Sequence, residues 1–124
     1  AGVILDVNVG MAGQVEVRIT NDRPGTYLRI GNEYLLEKLI DGRWYIVNAM
    51  ELWLSTGQIC AYGGEYGYAV SFQQQSVERL PAGEYRLIHK SLGFTPELSR
   101  NPEERFDICR SFKIELNEQI TEGR

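Results

Sequence analysis

The sequence predicts an all-β fold, an antiparallel sandwich of about seven to nine short strands. Three observations carry this prediction. Apolar and polar residues alternate with a period of two, most strictly where Val15, Val17 and Ile19 oppose Glu16, Arg18 and Thr20. Asp41-Gly42 stands between two apolar runs, a strong hairpin signal because a type I′ turn needs positive φ at both central residues. Leu80-Pro81-Ala82-Gly83 is a turn that feeds a further alternating run, with Tyr85, Leu87 and His89 pointing one way and Arg86, Ile88 and Lys90 the other.

In chain order, residues 3–9 put Val3, Leu5, Val7 and Val9 on one face, with Asp6 and Asn8 opposite, and form a first strand. Gly10 to Gly13 turns the chain into a second strand over 14–20. Asn21-Asp22-Arg23-Pro24-Gly25 closes it, proline fixing φ and glycine permitting a positive value. Residues 27–30 make a short strand before a break at Gly31-Asn32. Leu35, Leu36 and Leu39 would also suit a helix, but the continuation Asp41-Gly42-Arg43-Trp44-Tyr45 selects a hairpin of 33–40 with 43–48.

Through 49–66 the pattern loosens. Met50, Leu52, Trp53 and Leu54 cluster, Gly57, Gly63 and Gly64 follow, and a short irregular strand over 58–62 with a loop across the end of the sandwich is expected. Alternation resumes over 68–74 with Tyr68, Val70 and Phe72 in phase. Residues 91–105, with Gly93, two prolines and several charges, read as a long exposed excursion. Phe106, Ile108, Phe112, Ile114 and Leu116 share a last strand, and 117–124 is a polar tail. The inner faces should unite Val15, Val17, Ile19, Leu36, Trp44, Val70, Phe72, Tyr85, Leu87, Phe112 and Ile114. With no repeat or linker in sight, residues 1–124 form one domain whose core spans 3–116.

Of 124 residues, 43% are hydrophobic and 24% charged. A domain of this length buries roughly two thirds of the surface its unfolded chain exposes, so it needs neither a metal nor a disulfide framework to fold. The net charge of -4, with both signs mixed throughout, lacks the clustered Lys and Arg of a nucleic-acid or anionic-membrane surface. No apolar run approaches the roughly 18–20 residues that cross a bilayer, so this segment does not insert directly into a membrane. An exported protein would carry its signal or lipid anchor outside these residues.

Chemistry is sparsely marked. Cys60 and Cys109 lack the spacing of a metal site. They form one bridge or stay two reduced thiols, and the second is favoured because Cys109 is out of phase with its strand's apolar set. The single histidine, His89, has no nucleophile with a recognisable local signature to serve, so a packed role outweighs a catalytic one. The carboxylates are scattered singly and the Asp-x-Asp-x-Asp-Gly calcium loop is absent. No enzyme, metal or cofactor is expected. The segment Ala61-Tyr62-Gly63-Gly64-Glu65-Tyr66-Gly67-Tyr68, close in sequence to Trp53, is the candidate contact site. Tyrosines on glycine turns offer adaptable contact area at low entropic cost. The competing reading folds Tyr66 and Tyr68 back over the sandwich edge.

The order of the motifs resembles a known family. Tyr34-Leu35-Leu36-Glu37-Lys38, Asp41-Gly42-Arg43-Trp44-Tyr45, Leu80 through Lys90 and a closing Phe112-Lys113-Ile114 together are similar to bacterial immunoglobulin-like domains of extracytoplasmic proteins and lipoproteins, mostly from Gram-positive bacteria. The resemblance implies an immunoglobulin-like sandwich, extracytoplasmic and noncatalytic, that serves as a spacer or protein-interaction domain of a cell-surface protein. Residues 93–105 and both cysteines depart from the family pattern. Tyr85, two residues after Gly83, is placed like the tyrosine that pins the crossover between two sheets. Two alternatives remain: a carbohydrate-binding module that meets cell-surface glycan through Trp53, Tyr62, Tyr66 and Tyr68, and an inhibitor that presents loops to a protease.

Overall fold

The structure, a computed structural model, describes residues 2–10, 15–51, 58–70 and 82–115, with the backbone alone at 48–51. Nine strands follow in order: β1 (Val3–Val9), β2 (Val15–Asn21), β3 (Tyr27–Ile30), β4 (Glu33–Ile40), β5 (Arg43–Glu51), β6 (Gln58–Ala61), β7 (Glu65–Ala69), β8 (Gly83–Thr95) and β9 (Phe106–Ile114). They form two antiparallel sheets packed as a sandwich. One has the order β1-β2-β7; the other holds β5, β4, β8, β3 and β6, with β9 on β8.

β8 is the spine of the larger sheet. Its start pairs with β4, from Tyr34↔His89 to Lys38↔Tyr85, and its end with β3, from Tyr27↔Thr95 to Ile30↔Leu92. β3 and β4 are therefore one interrupted strand laid along it. The interruption lies where Gly31 meets Lys90 and Ser91. Ser91 adopts φ 64°, and a side chain on Gly31 would come within 2.6 Å of the Lys90 carbonyl oxygen. This kink explains why β8 continues to Thr95: the run expected to leave the sheet at 91 stays in it after a bulge, and the excursion begins only at 96.

The core contains Val15, Val17, Ile19, Leu36, Val70, Tyr85 and Leu87, as the period-2 pattern predicts, with Leu28, Ile30, Tyr34 and Leu92 in addition. Phe112 and Ile114 pack half-buried at its margin, while Phe72 and Leu116 lie outside the described residues. Trp44 is a correction. A two-residue Asp41-Gly42 turn pairs Ile40 with Arg43, so Trp44 falls opposite Leu39 and on the face opposite Leu36. There its ring carries the Arg86 guanidinium at 4.3 Å, and Arg86 donates from Nε to its cross-strand register partner Glu37 at 2.7 Å. Asn21, read as a turn residue, instead ends β2 fully buried. Its amide donates to the carbonyls of Cys60 at 3.0 Å and Thr26 at 3.1 Å, and so ties the end of β2, the central strand of the smaller sheet, to β6 at the edge of the larger one.

Candidate functional site

A polar chain crosses the core. His89 on β8 is fully buried, and its Nε2 lies 2.6 Å from the carbonyl oxygen of Gly31. That oxygen can only accept, so Nε2 carries the proton and Nδ1 accepts from the Tyr68 hydroxyl at 2.8 Å. Tyr68 belongs to the smaller sheet, so the imidazole links the two layers; Tyr34 completes the cluster, its ring stacked on Tyr68 at 5.2 Å. Burial pushes the His89 pKa down, against the opposing pulls of the Gly31 hydrogen bond and the Asp107 charge. Burial first, then the neighbouring tyrosines, pushes the Tyr68 phenol well up. Both groups are thus held neutral and fully partnered, an arrangement that orders a core.

The tyrosine-glycine segment divides. Tyr62 is 54% exposed at the turn between β6 and β7. Tyr66 and Tyr68 face inward and pack against the core, with their rings 5.8 Å apart. Trp53 lies outside the described residues. Cys60 is buried on β6, where burial and then Glu65 raise its pKa, and Cys109 is exposed on β9. Two strands, β3 and β8, separate them within one sheet, and Cys60 is in register with Phe94 while Cys109 faces Ile88, so they lie well over about 14 Å apart, the width of three strand spacings alone. A disulfide needs Cα atoms within about 7 Å. Both are free thiols, and no bridge forms. Among the described residues, no group of His, Cys, Asp and Glu side chains gathers as a metal site.

A groove of about 570 Å³, open to solvent, lies between the β2–β3 turn and residues 96–105. Its floor is Phe94 and Phe106, with ring centroids 5.8 Å apart. Arg23 lies over Phe94 at 4.9 Å, and Arg100, Glu103 and Glu104 add to the lining. The loop is tied down from beneath: Arg29 on β3 donates to the carbonyls of Leu98 at 2.8 Å and Arg100 at 3.2 Å. Thr95 Oγ1 donates to the carbonyl of Glu97, and Arg105 donates to that of Ser91. Gly93 gives the loop room to approach the strand. A Cβ there would meet Pro102 and stand 2.6 Å from the Glu104 carbonyl oxygen.

Gly93→Ala is therefore expected to lower stability by about 1–3 kcal/mol through overpacking, and to speed proteolytic cleavage within 96–105. A denaturant midpoint and a limited-proteolysis time course check both.

The sequence marked the loop's position but not its restraint, because Arg29 is about seventy positions away along the chain. Across residues 6–113 the chain matches the family described as bacterial Ig-like domain. No curated protein matches it.

Proposed function

Because the chain belongs to the bacterial Ig-like domain family, we propose that it is a noncatalytic, extracytoplasmic interaction module of a bacterial cell-surface protein or lipoprotein. The observation that carries this reading is the pinned loop over 96–105, which holds a groove open at one end of the sandwich. Binding loops on a rigid scaffold lose little entropy when a partner arrives. The only imidazole in the chain supports the noncatalytic part, since both of its nitrogens are engaged inside the core. A protein partner is preferred over a glycan because Tyr66 and Tyr68 are turned inward, which removes two of the rings that a saccharide platform would use.

The test is made in the parent bacterium. A membrane-impermeant amine reagent should label the protein on intact cells, and surface cross-linking should recover it with a protein partner. Labelling only after lysis would overturn the extracytoplasmic location; cross-linking that yields the protein alone would overturn the interaction role.

A further inference from the structure

The charges of the groove narrow what it can hold. Arg23, from the β2–β3 turn, makes no ion pair among the described residues. Its guanidinium face rests on Phe94 and leaves its N–H edges available. Glu103 and Glu104, from the loop, also make no ion pair among the described residues, and Arg100 reaches Glu97 only at 3.8 Å. An open groove thus presents an unpaired cation from one element and unpaired carboxylates from another, with an aromatic floor formed by Phe94 and Phe106.

Each simple ligand class leaves part of this unsatisfied. A polyanion suits Arg23 and is repelled by Glu103 and Glu104, and a polycation meets the reverse problem. A neutral saccharide would cover charges of both signs without pairing any, at a desolvation cost. A chain that bears both charges around an apolar residue pairs each wall and covers the rings. We propose that the groove binds an extended peptide segment of a protein partner, with one acidic and one basic side chain flanking an apolar residue. The loop restraints make the site preformed, so the peptide alone is ordered on binding. This rests on the interaction-module reading and supplies its site and partner chemistry.

Titration of the isotope-labelled chain tests it. The probes are the capped tripeptides Asp-Phe-Lys, Lys-Phe-Asp, Asp-Phe-Asp and Lys-Phe-Lys, with a chitin trisaccharide alongside. At least one mixed-charge peptide should shift the amides of Arg23, Phe94, 100–101 and 103–106, and bind at least tenfold more tightly than either like-charged peptide. Arg23→Glu should turn the preference toward Lys-Phe-Lys, and the double variant Glu103→Lys, Glu104→Lys toward Asp-Phe-Asp. These positions are exposed, so the fold should persist in both variants. Equal binding of all four peptides, no shift in the groove, tighter binding of the trisaccharide, or a preference unmoved by the charge reversals would each overturn the assignment. Loss of peptide selectivity with surface cross-linking retained would remove this groove and leave the interaction role standing; the converse would remove the role alone.

Discussion

Tyr85→Ala is expected to lower the unfolding free energy by about 3–5 kcal/mol, the range for truncating a large buried aromatic. The side chain is fully buried at the start of β8, where Lys38 of β4 and Phe112 of β9 are its register partners. Its ring stacks on Phe112 at 5.8 Å, and the Lys38 ammonium lies 5.5 Å from its centroid. Removing it opens a cavity beneath three strands of the larger sheet, which the Lys38 stem can cover only in part because its ammonium must stay in water. Against a typical domain stability of about 5–15 kcal/mol, the variant should approach its unfolding margin at physiological temperature. Tyr45→Ala is the control, because Tyr45 is 48% exposed on β5 and its loss should cost under about 1 kcal/mol. Denaturant melts of the two variants would contradict the core placement if their midpoints fell together.

His89→Ala should cost about 2–4 kcal/mol, since it leaves the Tyr68 hydroxyl and the Gly31 carbonyl without their partner inside the core. The wild type should also lose stability in mild acid. The folded state holds the His89 pKa below its ordinary 6.5, so above that pH the imidazole is neutral whether the chain is folded or not. As pH falls below 6.5 the unfolded chain takes up a proton that the folded chain refuses. Stability then declines by at most about 1.4 kcal/mol per pH unit until the folded pKa is reached. The groups facing the ring are Tyr68, Tyr34 behind it and Asp107, whose charge only partly opposes the desolvation. Asp107 acts in a lower window. The Ser91 N–H holds its carboxyl below its usual 3.8, so its contribution is present above that pH and fades further down. His89→Gln, which keeps a donor and an acceptor, should give a flat stability profile from pH 6.5 to 5.5, where the wild type slopes.

Much of the scaffold was legible because its determinants are local. β1, β2, β3 and the β4–β5 hairpin follow from period-2 alternation and from Asp41-Gly42, whose φ values of 51° and 80° are those a type I′ turn requires. Where the sequence misled, the cause was a long-range or conformational detail. Ser91 and Gly93 look like the start of a loop, yet one supplies a positive-φ bulge and the other lets the loop above it close in, so β8 runs on. Trp44 looks like a core anchor until the hairpin register sends it outward beneath Arg86.

The candidate site was less legible still. His89, in phase with Tyr85 and Leu87, could be placed on the inner face, but its partner Tyr68 comes from the other sheet. The groove depends on Arg29 reaching under a distant loop, and on Arg23 settling over Phe94. Neither pairing leaves a local pattern.

At the centre of the fold, the chain's one imidazole is a neutral tie between two sheets. With a single histidine, nuclear magnetic resonance of the imidazole nitrogens reads this without ambiguity. The account predicts one fixed tautomer, with Nε2 protonated and Nδ1 accepting, that stays neutral below pH 6.5 for as long as the chain remains folded. An imidazole that exchanges between tautomers, or titrates at or above 6.5 in the folded protein, would contradict it.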